Sequence, residues 1–573
     1  MSTPAINNRK KIAIIGGGPT ALFLFKEFAK RGKKDYTIDI FEAGQQLGSG
    51  MPYTKAGANA EHISNVSANE IPELISPLNE YIDSLPAKYL EEAGIDKDLF
   101  HEYKVIPRLI LGQYFNDQFK QLLEKAKKEQ IDTSIHPGSR IEDIIDKPGS
   151  NKIMVETASH ESREFDIVII CTGHSWPCSK EGKIKGYYDS PYPPQKLLKQ
   201  FNHLIALKGS SLTAIDAIVT LSKIHGRFSK DNTGQLAWLA NEDTPGFKIV
   251  MHSLQALLPA IRIHLDDPQL KKDILLSEKD IFKHIVENDG FLSLDYLFEK
   301  NFKEPMKSGD PEFYQEIRNK KLEDFVNGIM QIREQADPFQ LFKAEYREAN
   351  RSIRRQKPVY WKELLAAFNF LINYPAKHLS AEDMIRFQKV LMPLISIIIA
   401  FVPQESCEQL IALYDAGRLE IVSVDEDSKV EACEEGGIIY HYKDESGNEY
   451  HQRYLTYIDC TGQPPLSLED FPFRSLRKGN ILSQARIKFR SGEEGKKEKG
   501  KGNKKVEQDG ENWFLPVPGI AITDSFSPID NEGHINPRIY MLASPFISGF
   551  NPDFSGLDFC ATAAKIVTED IIS

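Results

Sequence analysis

"KKIAIIGGGPTALFLFKEFAKRG" (residues 10–32) sets three consecutive glycines between a short apolar run and a segment of helical periodicity. Lys11 to Ile15 predicts a buried parallel strand, and Leu22, Phe25, Phe28 and Ala29 recur on one face of the helix after the turn. In Gly16-x-Gly18-x-x-Ala21, Gly16 permits the tight turn, Gly18 lets the backbone approach a pyrophosphate, and Ala21 lets helix and strand pack closely. Free N–H groups at the helix start would meet the phosphates. A purely structural glycine turn carries the same letters, so the next segment bears on the choice. "YTIDIFEAG" (36–44) predicts a second strand ending at Glu42, where an acidic side chain accepts hydrogen bonds from the adenosine ribose; an exposed acid at a strand end is the alternative. The bend is expected to hold the ADP half of a dinucleotide.

"HLIALKGSSLTAIDAIVTLSK" (203–223) repeats the plan in degraded form: Gly209 ends a strand-like run, and Ile215, Ile218 and Ser222 mark one helix face. Ser211 stands in place of the second glycine, and its Cβ would crowd a pyrophosphate. Gly209 and Thr213 therefore mark either a second nucleotide site or a turn that has lost one. Two stretches echo each other, "FDIVIICTGHSWP" (165–177) and "YLTYIDCTGQPP" (454–465), each an apolar strand running into Cys-Thr-Gly. Thr172-Gly173 and Thr461-Gly462 form small corners where the chain can reverse beside a cofactor. Either the chain leaves and re-enters the first domain through them, or they are two ordinary strand-to-loop turns.

At about 150 residues per domain, a chain of 573 residues exceeds one compact core. With 41% hydrophobic and 27% charged residues it has ordinary globular composition, and a net charge of −11 argues against general affinity for nucleic acid or anionic membrane. A small-molecule partner fits better. Four apolar residues before Gly16 are too few for a secretory core, and the most apolar run, residues 390–401, falls short of the roughly 20 residues of a membrane span. The six cysteines, at 171, 178, 407, 433, 460 and 560, form no C-x-x-C pair, which fits reduced thiols in a cytoplasm and disfavours disulfide exchange. There is no metal-ligand spacing, Walker loop or acyl-transfer triad.

These residues, taken with "GSGMPY" (48–53), "EHISNVSA" (61–68), "IPRLILGQY" (106–114), "SLQALLP" (253–259), "YWKELLAAF" (360–368) and the stretch from "RIYMLASP" (538–545) to "AAKIV" (563–567), resemble the bacterial FAD-NAD(P)-binding family. That family is distantly related to the flavin-dependent N-hydroxylating monooxygenases. The resemblance implies a larger FAD domain interrupted by a smaller NAD(P)H domain, with the flavin ring at their junction. It makes His62 and Asn65 candidates for contact with flavin or reacting oxygen, against the alternative of a satisfied polar loop. It sets Arg108 at a helix start facing a phosphate, and Gly549 and Gly556 around "FNPDFS" (550–555), closing over the flavin. Three departures stand out. Besides Ser211, the strand "FKIVMHS" (247–253) ends in His252 and Ser253 where relatives often place an arginine for the NADPH 2′-phosphate; 20 residues, 227–246, lengthen the second domain; and residues 391–403 are apolar where relatives are rich in His and Arg.

The expected fold class is α/β, with two dinucleotide-binding (Rossmann-like) domains, the FAD domain discontinuous, and a helical insertion. Residues 1–190 form the first part of the FAD domain, 191–265 and 402–455 the NAD(P)-binding-like domain, 266–401 the insertion, and 456–573 the last part of the FAD domain. In the insertion, Leu322, Phe325, Val326, Ile329 and Ile332 fit one amphipathic face, and "YREANRSIRRQK" (346–357) reads as a solvated helix face or a contact for a phosphate or acidic substrate. Residues 491–512, with Val506 their one apolar side chain, are expected to be a mobile loop. Expected cofactors are FAD and either NADPH or NADH. The expected function is a cytoplasmic FAD-dependent oxidoreductase, a monooxygenase reduced by NAD(P)H and acting on a small amine or amino-acid-like substrate. A dehydrogenase or oxidase without oxygen insertion, and a non-catalytic flavin-binding regulatory protein, are the alternatives. The sequence does not set the oligomeric state.

Overall fold

The computed structural model describes residues 9–32, 35–232, 234–266, 276–553 and 556–573; the polar start, 1–8, and the end of the "FNPDFS" stretch, 554–555, lie outside them. The chain opens with strand β1 (Lys10–Ile15), helix α1 (Pro19–Arg31) and strand β2 (Tyr36–Glu42), as the periodicity predicts. Leu22, Phe25, Phe28 and Ala29 are buried against the sheet. Then come the short antiparallel pair β3 (Ile63–Ser67) and β4 (Val105–Pro107), helix α2 (Arg108–Lys128) and strand β5 (Asp132–Pro137). An antiparallel sheet, β6 (Ile141–Lys147), β7 (Lys152–Thr157) and β8 (Ser162–Phe165), precedes β9 (Ile167–Ile170).

The second domain repeats this itinerary. It uses β10 (Tyr187–Tyr188), β11 (Leu204–Lys208), α3 (Leu212–His225), the hairpin β12 (Gly226–Lys230) and β13 (Leu236–Ala240), then β14 (Lys248–Leu254) and, after the helical insertion, β15 (Leu419–Val424). The antiparallel sheet β16 (Lys429–Ala432), β17 (Ile438–Lys443) and β18 (Glu449–Tyr454) follows, and then β19 (Thr456–Asp459). The first sheet is completed late in the chain by β23 (Ile539–Met541), after the antiparallel strands β20 (Gln484–Lys488), β21 (Glu507–Asp509) and β22 (Asn512–Ile520).

The two five-stranded sheets are all parallel, and in their orders, β23-β9-β1-β2-β5 and β10-β19-β11-β14-β15, the last four strands correspond in chain order while the first is added from a different place in the chain. The central strands carry apolar runs, and Ile12, Ile14, Ile38 and Ile40 in one sheet and Ile205, Leu207 and Ile249 in the other are fully buried, whereas the edge strand β5 is polar. At about 1.5–3 kcal/mol for each large side chain buried, these rows are what hold each domain together.

This twinning corrects the reading of the Cys-Thr-Gly corners. They are not two passages through one domain; β9 carries the first into the first sheet, and β19 carries the second into the other. Strand Thr456–Asp459 therefore belongs to the second domain, as does Tyr187–Tyr188, and the chain returns to the first domain only after residue 460. Letters alone hid this, because equivalent strands of a duplicated unit look alike wherever they sit.

Residues 491–512 also depart from expectation. Gly492–Gly500 is a helix whose N-cap Ser491 accepts from the Glu494 N–H, and β21 pairs with β22. Its apolar support comes from outside the segment: Gly495 lies against Trp513, and Val506 is buried in the core that includes Phe489. Between Glu278 and Ile398 the insertion is helical, including α4 (Tyr360–Ile372). Leu322, Phe325 and Val326 are buried and Ile329 packs on them, but Ile332 is exposed; the last turn of that helix instead buries Arg333 on Glu345 at 2.7 Å. Arg347, Arg351, Arg354 and Arg355 lie on a solvated face. No helix among the described residues is long and apolar enough to cross a membrane.

Candidate functional site: two glycine turns and the seam between them

Register fixes how the two turns correspond. Ile15 pairs with Phe41 and Ile170 in the first sheet, and Lys208 with His252 and Asp459 in the second. Gly16 thus matches Gly209, Cys171 matches Cys460, and Glu42 matches Ser253. Gly16 N–H donates to the Phe41 carbonyl at 2.8 Å, and Gly209 N–H donates to that of His252 at the same distance. Both glycines have positive φ, +102° and +104°, and a Cβ at either would meet the carbonyl oxygen of the facing cysteine, at 2.6 and 2.8 Å.

In the first turn both Glu42 carboxylate oxygens accept backbone N–H groups, from Gly17 at 2.7 Å and Gly44 at 2.6 Å. Each oxygen has a further lone pair for a ribose hydroxyl. The start of α1 has no side-chain cap, leaving helix-start N–H groups for an anion. A Cβ on Gly18 would find only the backbone of Gly50 within 4 Å, its Cα at 3.4 Å, so two bare backbones face each other where a pyrophosphate would pass. Ala21 is buried behind them, and Gly173 is open. The residues therefore fit the dinucleotide. Glu42→Ala is expected to weaken FAD binding by about 1.5–3 kcal/mol, the worth of charge-assisted hydrogen bonds, read as flavin retained after dialysis. Full retention would limit Glu42 to shaping the turn.

The second turn is built differently. Ser210 Oγ donates to the Leu257 carbonyl at 2.6 Å and lies 2.9 Å from Ser253 Oγ, so two hydroxyls occupy the place of the Glu42 bridge. Ser211, with φ −92°, needs no glycine conformation; its side chain is exposed at the uncapped start of α3, near Thr213 and Gly462. Thr461 is tied to Asp459 by its N–H and its hydroxyl, at 3.0 and 2.6 Å. His252 does not face a phosphate. It is buried, stacked on Tyr440 at 4.1 Å, with the Tyr454 hydroxyl 3.2 Å from Nε2.

Burial pulls the His252 pKa down to about 4, despite backbone acceptors at Leu207 and Val250 and the negative charge of Glu420. Tyr440, Tyr442 and Tyr454 are the rings around it. Below its ordinary value near 6.5 the unfolded chain takes up a proton that the folded one refuses, so this stability is complete above that pH and is lost as pH falls towards about 4. His252→Gln is expected to flatten this part of the pH–stability curve, measured by urea denaturation.

Between the turns runs a polar seam. Arg108, the first residue of α2, forms a bidentate pair with Asp216 of α3, at 2.6 and 2.8 Å, and Tyr192 donates to the same carboxylate at 2.6 Å. Burial opposes the Arg108 charge, but Asp216 outweighs it and raises the pKa. Arg108, expected to face a phosphate, here has its guanidinium on Asp216. His62 is likewise committed: Nδ1 accepts the Asn59 N–H at 3.2 Å, so Nε2 carries the proton, towards the Asp216 carbonyl at 3.1 Å and Thr220 Oγ1 at 2.9 Å. Burial, only partly offset by Asp216, keeps the ring below its usual pKa. His62 thus joins domains as a satisfied polar residue. The Asn65 carbonyl accepts from Arg262, which also binds Ser67 and Glu70. Across the corners, Gln463 holds both the N–H and the carbonyl of Ser175 at 2.7 Å, and the Trp176 indole donates to the Gly462 carbonyl at 3.0 Å.

The closing segment is held by the insertion. Asn373, just beyond α4, accepts the Asp553 N–H at 2.7 Å and donates to its carbonyl at 2.8 Å, while Asn551 donates to the Asn373 carbonyl at 2.7 Å. Ser548 Oγ, Asn551 Oδ1 and Asn369 Oδ1 are buried there without a partner, as suits a site awaiting a heterocycle with donors and acceptors on its edge. Gly556 caps the last helix, α5 (Leu557–Ile572), while Gly549 has a packing reason of its own, since a Cβ would lie 2.2 Å from the Pro518 carbonyl. Sequence reading missed Asp216, though an acid inside the apolar run "AIDAIVTL" (214–221) demands a partner. Gln463, Arg262 and Asn373 gave no such signal.

Two twinned dinucleotide-binding domains clasped across such a seam define a flavoprotein oxidoreductase fold. Residues 13–175 match the FAD-NAD(P)-binding family, and residues 277–399 match the YdhS-like middle domain. The chain is 28% identical over 473 residues, 82% of its length and 86% of the relative's, to the uncharacterized protein YdhS of Escherichia coli K12. Among solved structures it is similar to L-lysine 6-monooxygenase from Pseudomonas syringae (13% identity, TM-score 0.46, 98% of this chain and 99% of that one). It is also similar to the FAD-bound cadaverine monooxygenase DfoA of Erwinia amylovora (11%, TM-score 0.44, 98% and 94%).

Proposed function

We propose that the protein is an FAD-dependent monooxygenase reduced by NAD(P)H and acting on a small amine or amino-acid-like substrate. The observation that carries the redox half is the pairing of the two turns: matched sheets aim both Cys-Thr-Gly corners at one seam, where Gln463 and Trp176 fasten them together. Bound FAD would supply hydride acceptance and electron transfer to a second acceptor. Gly16, Gly18 and Glu42 would hold its ADP half, and the segment around Asn551 its ring edge. Gly209, Thr213 and Gly462 would hold the nicotinamide nucleotide. Ser253, unlike an acidic residue, does not repel a 2′-phosphate, and no arginine beside it attracts one, so NADPH and NADH are expected to bind with similar affinity. The cysteines supply no C-x-x-C pair, which supports an acceptor outside the chain. The fixed seam would keep water from the reacting centre.

Anaerobic mixing with NADH and NADPH tests the first step by flavin bleaching, and admission of oxygen with candidate amines tests the second by product analysis. Failure of both nucleotides to bleach the flavin would overturn the reading. A second reading, a non-catalytic flavin-binding regulator, is favoured by the Ser210–Ser253 contact and the exposed Ser211, and predicts that neither nucleotide binds.

A further inference from the structure

The antiparallel sheet β16-β17-β18 has two faces of opposite character. Strand alternation turns Ile438, Tyr440 and Tyr442 inward, where both tyrosine rings pack on His252, and turns His441 outward. Directly opposite His441, on β18, stands His451, ten residues away in the chain; hairpin register rather than any linear motif brings the two rings together. Their Nδ1 atoms lie 2.7 Å apart, with the ring planes at 66°. On the far side of His441, Nε2 lies 3.0 Å from the carboxylate of Glu431, on β16. An ionised carboxylate only accepts, so Nε2 of His441 carries the hydrogen and its Nδ1 presents a lone pair. With both rings neutral, the hydrogen between them therefore sits on His451 Nδ1. The other charges of this face are spoken for: Lys443 pairs with Glu449 at 3.2 Å and Arg453 with Glu435 at 3.5 Å, while Glu431 offsets Lys429, which stands opposite His441 on β16. Two imidazole nitrogens converging from paired strands, one ring oriented from behind by a carboxylate, is the arrangement that holds a metal-ligating histidine in place.

We infer that His441 and His451 form a two-nitrogen chelate for a divalent transition-metal ion such as Zn2+ or Cu2+, with Glu431 as the orienting carboxylate. Metal–nitrogen bonds of about 2.0–2.1 Å in a tetrahedral site set the two nitrogens about 3.3 Å apart, so the rings need to part by only about half an ångström. On binding, His451 gives its Nδ1 hydrogen to water and takes one from water on Nε2; both Nδ1 lone pairs then meet the ion, and the net proton count is unchanged. Among the described residues no group of three or more His, Cys, Asp or Glu side chains could hold a metal, so water or a donor from outside the chain completes the coordination. An imidazole pair suits Zn2+, Cu2+ and Ni2+, whereas Mg2+ and Ca2+ take oxygen ligands. The chelate faces away from His252 and does not rest on the flavin chemistry.

The test uses the untagged, FAD-loaded full chain, freed of metal by a chelator, with Zn2+, Cu2+ and Mg2+ in equilibrium dialysis. Zn2+ is expected to saturate a single site, Cu2+ to bind it more tightly, and Mg2+ not to compete. His441→Gln and His451→Gln are each expected to lose about tenfold or more in Zn2+ affinity, and Glu431→Gln about tenfold, the usual effect of removing an orienting partner. His534→Gln, which removes an exposed histidine beside Asp530 and Glu532, is expected to change nothing. The electron paramagnetic resonance spectrum of bound Cu2+ should show coupling to two imidazole nitrogens in the parent and to one in His451→Gln. If a histidine variant does not fold, the spectrum of the parent decides alone. Zn2+ affinity unchanged in both histidine variants, an equal loss in His534→Gln, no saturation, or a Cu2+ spectrum without two imidazole nitrogens overturns the chelate and leaves a cross-strand hydrogen bond only. An unchanged Glu431→Gln overturns the role given to that carboxylate.

Discussion

Asp216→Ala is expected to cost about 3–5 kcal/mol of stability, the penalty for leaving a buried charge without its partner. Arg108 and Asp216 have side chains only 15% and 6% exposed, so water cannot replace what is lost. The Tyr192 hydroxyl loses its acceptor at the same time. Thermal and urea denaturation of the flavin-loaded protein would measure the effect. Arg108→Met combined with Asp216→Leu is expected to cost less than either single truncation, because both charges leave together. A single variant as stable as the parent would mean that the seam is wet and the pair worth little.

Gly16→Ala is expected to remove about 2–4 kcal/mol and most of the bound flavin, since alanine pays for the left-handed backbone and for a steric overlap with backbone that cannot swing away. Its Cβ would sit 2.6 Å from the Cys171 carbonyl, inside the first parallel sheet. Gly209→Ala makes the control. With φ +104° and the Cys460 carbonyl at 2.8 Å, it should lose similar stability while keeping its flavin. Flavin absorbance after gel filtration, compared between the two, separates packing from cofactor binding; equal loss in both would break the assignment of the first turn to FAD.

The parts legible in the sequence are those governed by local periodicity and by backbone geometry. β1, α1 and β2 follow from the spacing of their apolar residues, and Gly16 from a bend that side chains resist. What the letters conceal is pairing over long separations. Nothing local shows that Gln463 holds Ser175, that Arg262 holds the β3 backbone, or that β19 joins β11 rather than β9. Arg108 illustrates the difference: a helix-start arginine suits a phosphate or a carboxylate equally, and only the fold brings Asp216 to it. For residues 491–512, composition predicts poor self-burial correctly, but the segment borrows its apolar surface from Trp513 and Phe489.

Asn373 reaches the main chain of Asp553 across 180 positions of sequence, pairing with it as a neighbouring strand would. The helical module is thus mortised into the carboxyl-terminal loop rather than merely parked on the surface. Trimming residues 277–399 to obtain a minimal flavodomain would unfasten that loop, so the shortened chain should purify pale even where its sheets fold. A protein of this architecture can shed the module only by inventing another latch.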